Sequence, residues 1–170
     1  FSDWYQDAEY LINKLTKGKQ ILVGSSMGAW IMLMLAKRIP QKISAIIGLA
    51  PAPDFPKLLI WDKMTGSEKR KLIKNKKTTI RYEDGSKNNF SYKLIKDSFK
   101  NLTLLESIYF NGPVYLYHGM ADDAVPYDLS IRIIKTFKGT KDIKLLLDKE
   151  AGHRLSETDQ LRNITNIIEE

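Results

Sequence analysis

Apolar and polar positions along the chain follow two alternating rhythms. Between residues 4 and 17 the apolar residues Trp4, Ala8, Leu11, Ile12 and Leu15 recur at helical spacing. That spacing predicts a helix with Ser2 as its N-cap and Gly18 as its stop. Residues 19–24 form a short apolar run of strand length. Residues 26–39 are apolar nearly all round, which predicts a buried helix ended by Pro40. Further buried strands are predicted at 42–50, 114–119 and 142–148. A helix should run from Pro126 to Phe137, with Leu129, Ile133, Ile134 and Phe137 inward. The last helix follows a capping-box pattern at 156–159, with Leu161, Ile164, Ile167 and Ile168 inward. Apolar strands separated by helices predict an α/β fold, a parallel sheet covered on both faces.

One interval breaks this rhythm. Between Ala50 and Val114 no buried strand is predicted. The segment reads as a helical stretch at 55–64, a basic helix, a hairpin over 78–92 turning at Asp84-Gly85, and a helix at 92–99. An insertion at the carboxyl end of a parallel sheet commonly covers a binding crevice. The chain therefore divides into a core segment at 1–53, a cap at 54–110, and core again at 111–170, all one folding domain. Phe55, Leu58, Leu59, Ile60 and Trp61 give the cap an apolar stripe. The stripe either lines a substrate channel or packs the cap onto the core.

The chemistry concentrates where the first strand meets the buried helix. Gly24-Ser25-Ser26-Met27-Gly28 is a G-x-S-x-G pattern between an apolar strand and an apolar helix. That is the context of a nucleophile elbow. The tight turn lifts Ser26 above the sheet edge. Gly24 and Gly28 are expected to spare clashes where helix folds back on strand. The Met27 N–H, at the helix start, is free to meet an oxyanion. A serine nucleophile needs a base and an orienting acid. The chain has only two histidines. His153 follows the last strand, where a base reaches over the sheet end. His118 ends an earlier strand and reads as structural. Asp122 and Asp123, on the loop after that strand, are the acid candidates. The order Ser, Asp, His is the one that accompanies the elbow.

Composition narrows the classes. There is no cysteine, which rules out disulfides, thiolate metal sites and a cysteine nucleophile. Lack of cysteine is compatible with a reducing compartment, and a cytoplasmic location is expected. No apolar run is long and clean enough to span a bilayer. The net charge is +7, and the densest basic run lies at 63–77. No nucleic-acid module surrounds it, so it reads as a solvated face and no nucleic-acid partner is expected. No metal or cofactor is called for.

The stretch from His118 to Pro126 resembles the H-G-x-x-D-x-x-V-P signature of the α/β hydrolases. The resemblance places the acid at Asp122 and leaves Asp123 free to cap the Pro126 helix. With residues 20–30 and 152–157, it resembles the branch of palmitoyl-protein thioesterases and acyl-glucuronide esterases. Ala29 stands where many relatives carry a second glycine. The resemblance implies a serine hydrolase of carboxylic esters or thioesters, acting on a small-molecule or acyl-protein substrate. The implied roles are Ser26 nucleophile, His153 base, Asp122 acid and Met27 oxyanion donor, with Phe55, Leu58, Leu59 and Trp61 binding substrate. Two alternatives stay open, a prolyl-oligopeptidase-like serine peptidase and a truncated, inactive scaffold. The family fold runs through several strands before its elbow strand. The chain is therefore expected to be the C-terminal part of a larger hydrolase domain. An upstream segment or a second copy should cover the bare edge of the elbow strand.

Overall fold

The structure is a computed structural model that describes residues 1–82 and 85–169. Helix α1 spans Ser2–Leu15, strand β1 Gln20–Ser25 and helix α2 Met27–Arg38. A 3₁₀ turn at Pro40–Lys42 leads into β2 at Ile43–Leu49. The insertion holds a wide π-type turn at Pro56–Trp61, α3 at Gly66–Asn75, β3 at Lys77–Arg81, β4 at Lys87–Ser91 and α4 at Tyr92–Ser98. Then come β5 at Ile108–Phe110, β6 at Val114–Gly119 and α5 at Asp128–Thr136. The chain closes with β7 at Phe137–Gly139, β8 at Ile143–Asp148 and α6 at Thr158–Glu169.

The main sheet is parallel, in the order β1-β2-β6-β8. Helix α2 is buried along most of its length, as its all-round apolarity requires. Trp30, Leu33, Ile46, Val114, Leu116 and Ile133 join α2, the sheet and α5 in one core. On the other face, Ile164 and Ile167 of α6 pack with Leu49 and Tyr117. The cap has a small core of its own around Ile60, Leu72 and Ile95. Helix α3 starts with a reciprocal capping box between Thr65 and Glu68. Strands β3 and β4 form the predicted antiparallel hairpin. Asp84 of the predicted turn lies outside the described residues.

Several expectations need correction. Strand β1 is buried on one face only. Ile21 and Val23 are 54% and 49% exposed, because α6 reaches no farther than the β2–β6 part of that face. On α1, Tyr5, Ala8 and Ile12 meet the core while Trp4, Leu11 and Leu15 stand exposed. A single helix turns only one stripe toward its neighbour. Phe1, not Ser2, is the N-cap. On α6, Leu161 and Ile168 face solvent, so two of its four apolar residues point outward. Its first turn is tied one residue later than predicted, with the Glu157 N–H donating to the Gln160 side chain. A buried strand does lie between Ala50 and Val114. Three-residue β5, with Ile108 and Phe110 buried, pairs with β7. Helix α5 therefore ends before Phe137. It begins at Asp128, with Tyr127 as its N-cap, and the Tyr127 side chain makes no capping bond.

Candidate active site

The turn from β1 into α2 is strained at one residue. Ser26 has φ 51° and ψ −116°, a region an L-residue occupies only when its surroundings impose it. The surroundings are a set of backbone hydrogen bonds. The Ser26 N–H donates to the Leu49 carbonyl, and the Ser26 carbonyl accepts from Ala29 and Ala52. Gly24 is obligatory, since a Cβ there would lie 2.7 Å from backbone atoms of Gly28 and Ala29. Gly28 is not. A Cβ at Gly28 meets nothing within 4 Å, because the residue borders a shallow apolar groove between α1, β1 and α2. The Met27 amide opens α2, where N–H groups have no acceptor within the helix.

Ser26 makes no capping bond to its own helix, so its hydroxyl is available to a base. Its Oγ lies 3.0 Å from His153 Nε2. His153 Nδ1 lies 2.7 Å from Asp122 Oδ2. The structure thus brings the three predicted residues into one hydrogen-bonded line across 127 residues of sequence. Their loops are laced together beneath it. The Met120 N–H donates to the Asp148 carbonyl and the Ala121 N–H to the Ala151 carbonyl. Gly119 permits this approach, for a Cβ there would lie 2.0 Å from the Ala151 oxygen.

Of the two acid candidates, Asp122 is the one that meets His153, and its loop is folded around it. Oδ1 accepts the N–H groups of Ala124 and Val125. Oδ2 accepts from His153 and also meets His118 Nε2 at 3.1 Å. Burial alone would push this carboxyl up. The hydrogen bonds from His118, His153 and the Val125 amide outweigh it and hold Asp122 well below the usual carboxylate range. It stays ionised.

Sequence reasoning read His118 as structural, without its partners, and did not single out Ser130. Both are fully buried. His118 Nδ1 lies 2.7 Å from the Ser130 hydroxyl, and Nε2 also lies 2.9 Å from the Val125 carbonyl oxygen. The available signal was the spacing of four residues between His118 and Asp122.

The cap residues sit in packing. Phe55 lies edge-to-face with Trp30 and with Phe90. Leu58 and Leu59 pack with Ala52, Val125 and Leu129. Trp61 meets Tyr92 and Phe99, with the Lys69 ammonium 5.2 Å from its ring centroid. Asp54 ties the cap's two ends. Buried at φ 57°, it accepts the N–H groups of Thr103 and Leu104. Burial pushes its carboxyl up, against those two bonds. Among the described residues no cluster of histidine and carboxylate side chains is arranged to hold a metal ion.

Comparison with known proteins places the fold. The family model described as alpha/beta hydrolase fold matches residues 1–73. The human mitochondrial palmitoyl-protein thioesterase ABHD10 is 32% identical over 170 residues, covering 98% of this chain and 55% of that protein. The chain thus spans about half the length of the named thioesterases it matches. The structure of mouse alpha/beta hydrolase domain-containing protein 10 superimposes with a TM-score of 0.90 at 27% identity, covering 99% of this chain and 67% of that one. A putative hydrolase from Agrobacterium vitis gives a TM-score of 0.91 at 30% identity, with the same coverage. Strand order, elbow and relatives agree, and the chain belongs to the α/β-hydrolase family.

Proposed function

We propose that the chain carries the catalytic residues of a serine hydrolase that cleaves carboxylic esters or thioesters. The observation that carries this reading is the continuous line Ser26–His153–Asp122, at 3.0 and 2.7 Å. Ser26 Oγ attacks the acyl carbonyl while His153 Nε2 takes its proton. Asp122 holds His153 in the Nδ1–H tautomer and stabilises the imidazolium that forms. The Met27 N–H donates to the developing oxyanion. His153 then protonates the departing alkoxide or thiolate, leaving an acyl group on Ser26. A water, deprotonated by His153, attacks that acyl group and frees Ser26.

The substrate class is proposed from the relatives, which are named palmitoyl-protein thioesterases. An acyl thioester on a protein is therefore the first substrate to try. Leu58 and Leu59 pack against Val125, three residues after Asp122, so the apolar stripe of the cap stands beside the acid loop. Its first role in this reading is to seat the cap there. The test is a panel of p-nitrophenyl acyl esters and S-acyl-cysteine peptides, with Ser26→Ala as the control. Turnover that falls to the uncatalysed rate in Ser26→Ala supports the reading. Turnover that survives in Ser26→Ala contradicts it.

A further inference from the structure

The hydrogen-bonded line does not stop at Asp122. His118 Nε2 faces two oxygens, Asp122 Oδ2 at 3.1 Å and the Val125 carbonyl at 2.9 Å. Both atoms only accept here, for Asp122 is ionised. Nε2 must therefore carry the hydrogen and share it between them. On the far side Nδ1 meets the Ser130 hydroxyl at 2.7 Å. With Nε2 protonated, Nδ1 accepts and Ser130 donates. The polar atoms of His118 are all satisfied in a site closed to water. Asp122 then receives four donors, namely two backbone amides, His153 and His118.

We propose that His118, backed by Ser130, is a positioning residue that fixes the Asp122 carboxylate and tempers its pull on His153. The proposal rests on the hydrolase reading above. His118 spans the end of β6, the acid loop and the first turns of α5 through Asp122, Val125 and Ser130. Rotation of the carboxylate about χ2 would break its bond to His118 and its bond to His153 together, so the two imidazoles pin one orientation. The His118 N–H also takes up part of the carboxylate's charge. Without it, that charge bears on His153 alone and favours the imidazolium. The acidic limb of the rate profile should then move to higher pH.

The variants are His118→Phe, which keeps an aromatic ring and removes the donor, His118→Gln, which restores an N–H near the Nε2 position, and Ser130→Ala. Two readouts are needed. The first is kcat and KM on a p-nitrophenyl ester from pH 5 to 9. The second is ¹⁵N-histidine NMR, which follows His153 without turnover and is simple because these 170 residues hold two histidines. His118→Phe should lower kcat about 10-fold, the rate equivalent of one hydrogen bond to a charged group. KM should stay within about threefold, because no substrate contact is lost. The acidic limb and the His153 titration midpoint should both rise by about half a unit to one unit. His118→Gln should recover both, and Ser130→Ala should give a smaller change in the same direction. Equal losses in Phe and Gln with an unmoved midpoint would mean a merely structural role and overturn the proposal. If His118→Phe does not fold, an unchanged midpoint in Ser130→Ala overturns it. If the wild type turns over no ester, the hydrolase reading fails. The NMR midpoint in His118→Phe still decides whether His118 acts on Asp122.

Discussion

Gly119→Ala places the account under its sharpest geometric strain. A Cβ at Gly119 would lie 2.0 Å from the Ala151 carbonyl oxygen, 2.5 Å from its carbon and 2.9 Å from the Gly152 oxygen. All three are backbone atoms, so no rotamer change relieves the contact. The loop that carries His153 must back away by about 1.4 Å to bring the 2.0 Å contact to ordinary packing distance. The Ala121–Ala151 hydrogen bond, 3.1 Å long, goes with it. His153 lies two residues farther on, held at 2.7 Å to Asp122 and 3.0 Å to Ser26. A displacement of that size costs on the order of 10²-fold in rate. The overpacking itself costs about 1–3 kcal/mol of stability. Gly152→Ala is the control, since its Cβ meets only the Ala121 oxygen, at 4.0 Å. The assay is kcat on an acyl ester beside a thermal melt of each variant. A folded Gly119→Ala protein with wild-type kcat would refute the claim that this close approach sets the His153 position.

Other perturbations separate the roles of neighbours. Asp122→Asn should lower turnover by about 10⁴, the loss that follows the wrong imidazole tautomer, and Asp123→Asn far less; equal losses would refute the assignment of the acid. Asp122 is depressed in the folded state, so its contribution to stability is present above about pH 4 and fades as pH falls through its lower folded value. Melting temperature should therefore depend less on acid pH in Asp122→Asn, and an unchanged acid slope would contradict the linkage. Gly24→Ala should abolish activity through its 2.7 Å backbone contacts, whereas Gly28→Ala, open within 4 Å, should retain it; parallel kcat measurements on the two check this, and equal losses would refute it. The cap segment 54–110 carries 13 Lys and Arg against 7 Asp and Glu, so +6 of the chain's +7. If Lys69, Arg70, Lys71 and Lys74 are only a solvated face, neutralising them leaves turnover of neutral esters unchanged within a few-fold at all salt concentrations; a loss confined to anionic substrates at low salt would instead mean steering.

The elbow was legible because its requirements are local. An apolar strand, a G-x-S-x-G turn and an apolar helix are contiguous, and the turn forces Ser26 to positive φ. His153 and Asp122 were legible because they stand just past the ends of β8 and β6, where a parallel sheet gathers loops. What stayed hidden depends on contacts between distant segments. Nothing local marks β5 or β7, since three residues carry no period. The exposure of Ile21 and Val23 depends on where α6 ends its reach, not on the strand's own apolarity. Gly28 looked obligatory by pattern, and only the packing shows open space at its Cα. His118 looked like an ordinary strand-end residue until folding set Ser130 behind it and Asp122 in front.

The central claim is that Ser26 is a nucleophile activated by His153. Treatment with a fluorophosphonate probe, followed by intact-mass and peptide mass spectrometry, tests it most directly. The account predicts one adduct per chain, on Ser26. It predicts no adduct in Ser26→Ala and strongly slowed labelling in His153→Ala. An adduct on Ser25, or labelling of His153→Ala at the wild-type rate, would contradict it.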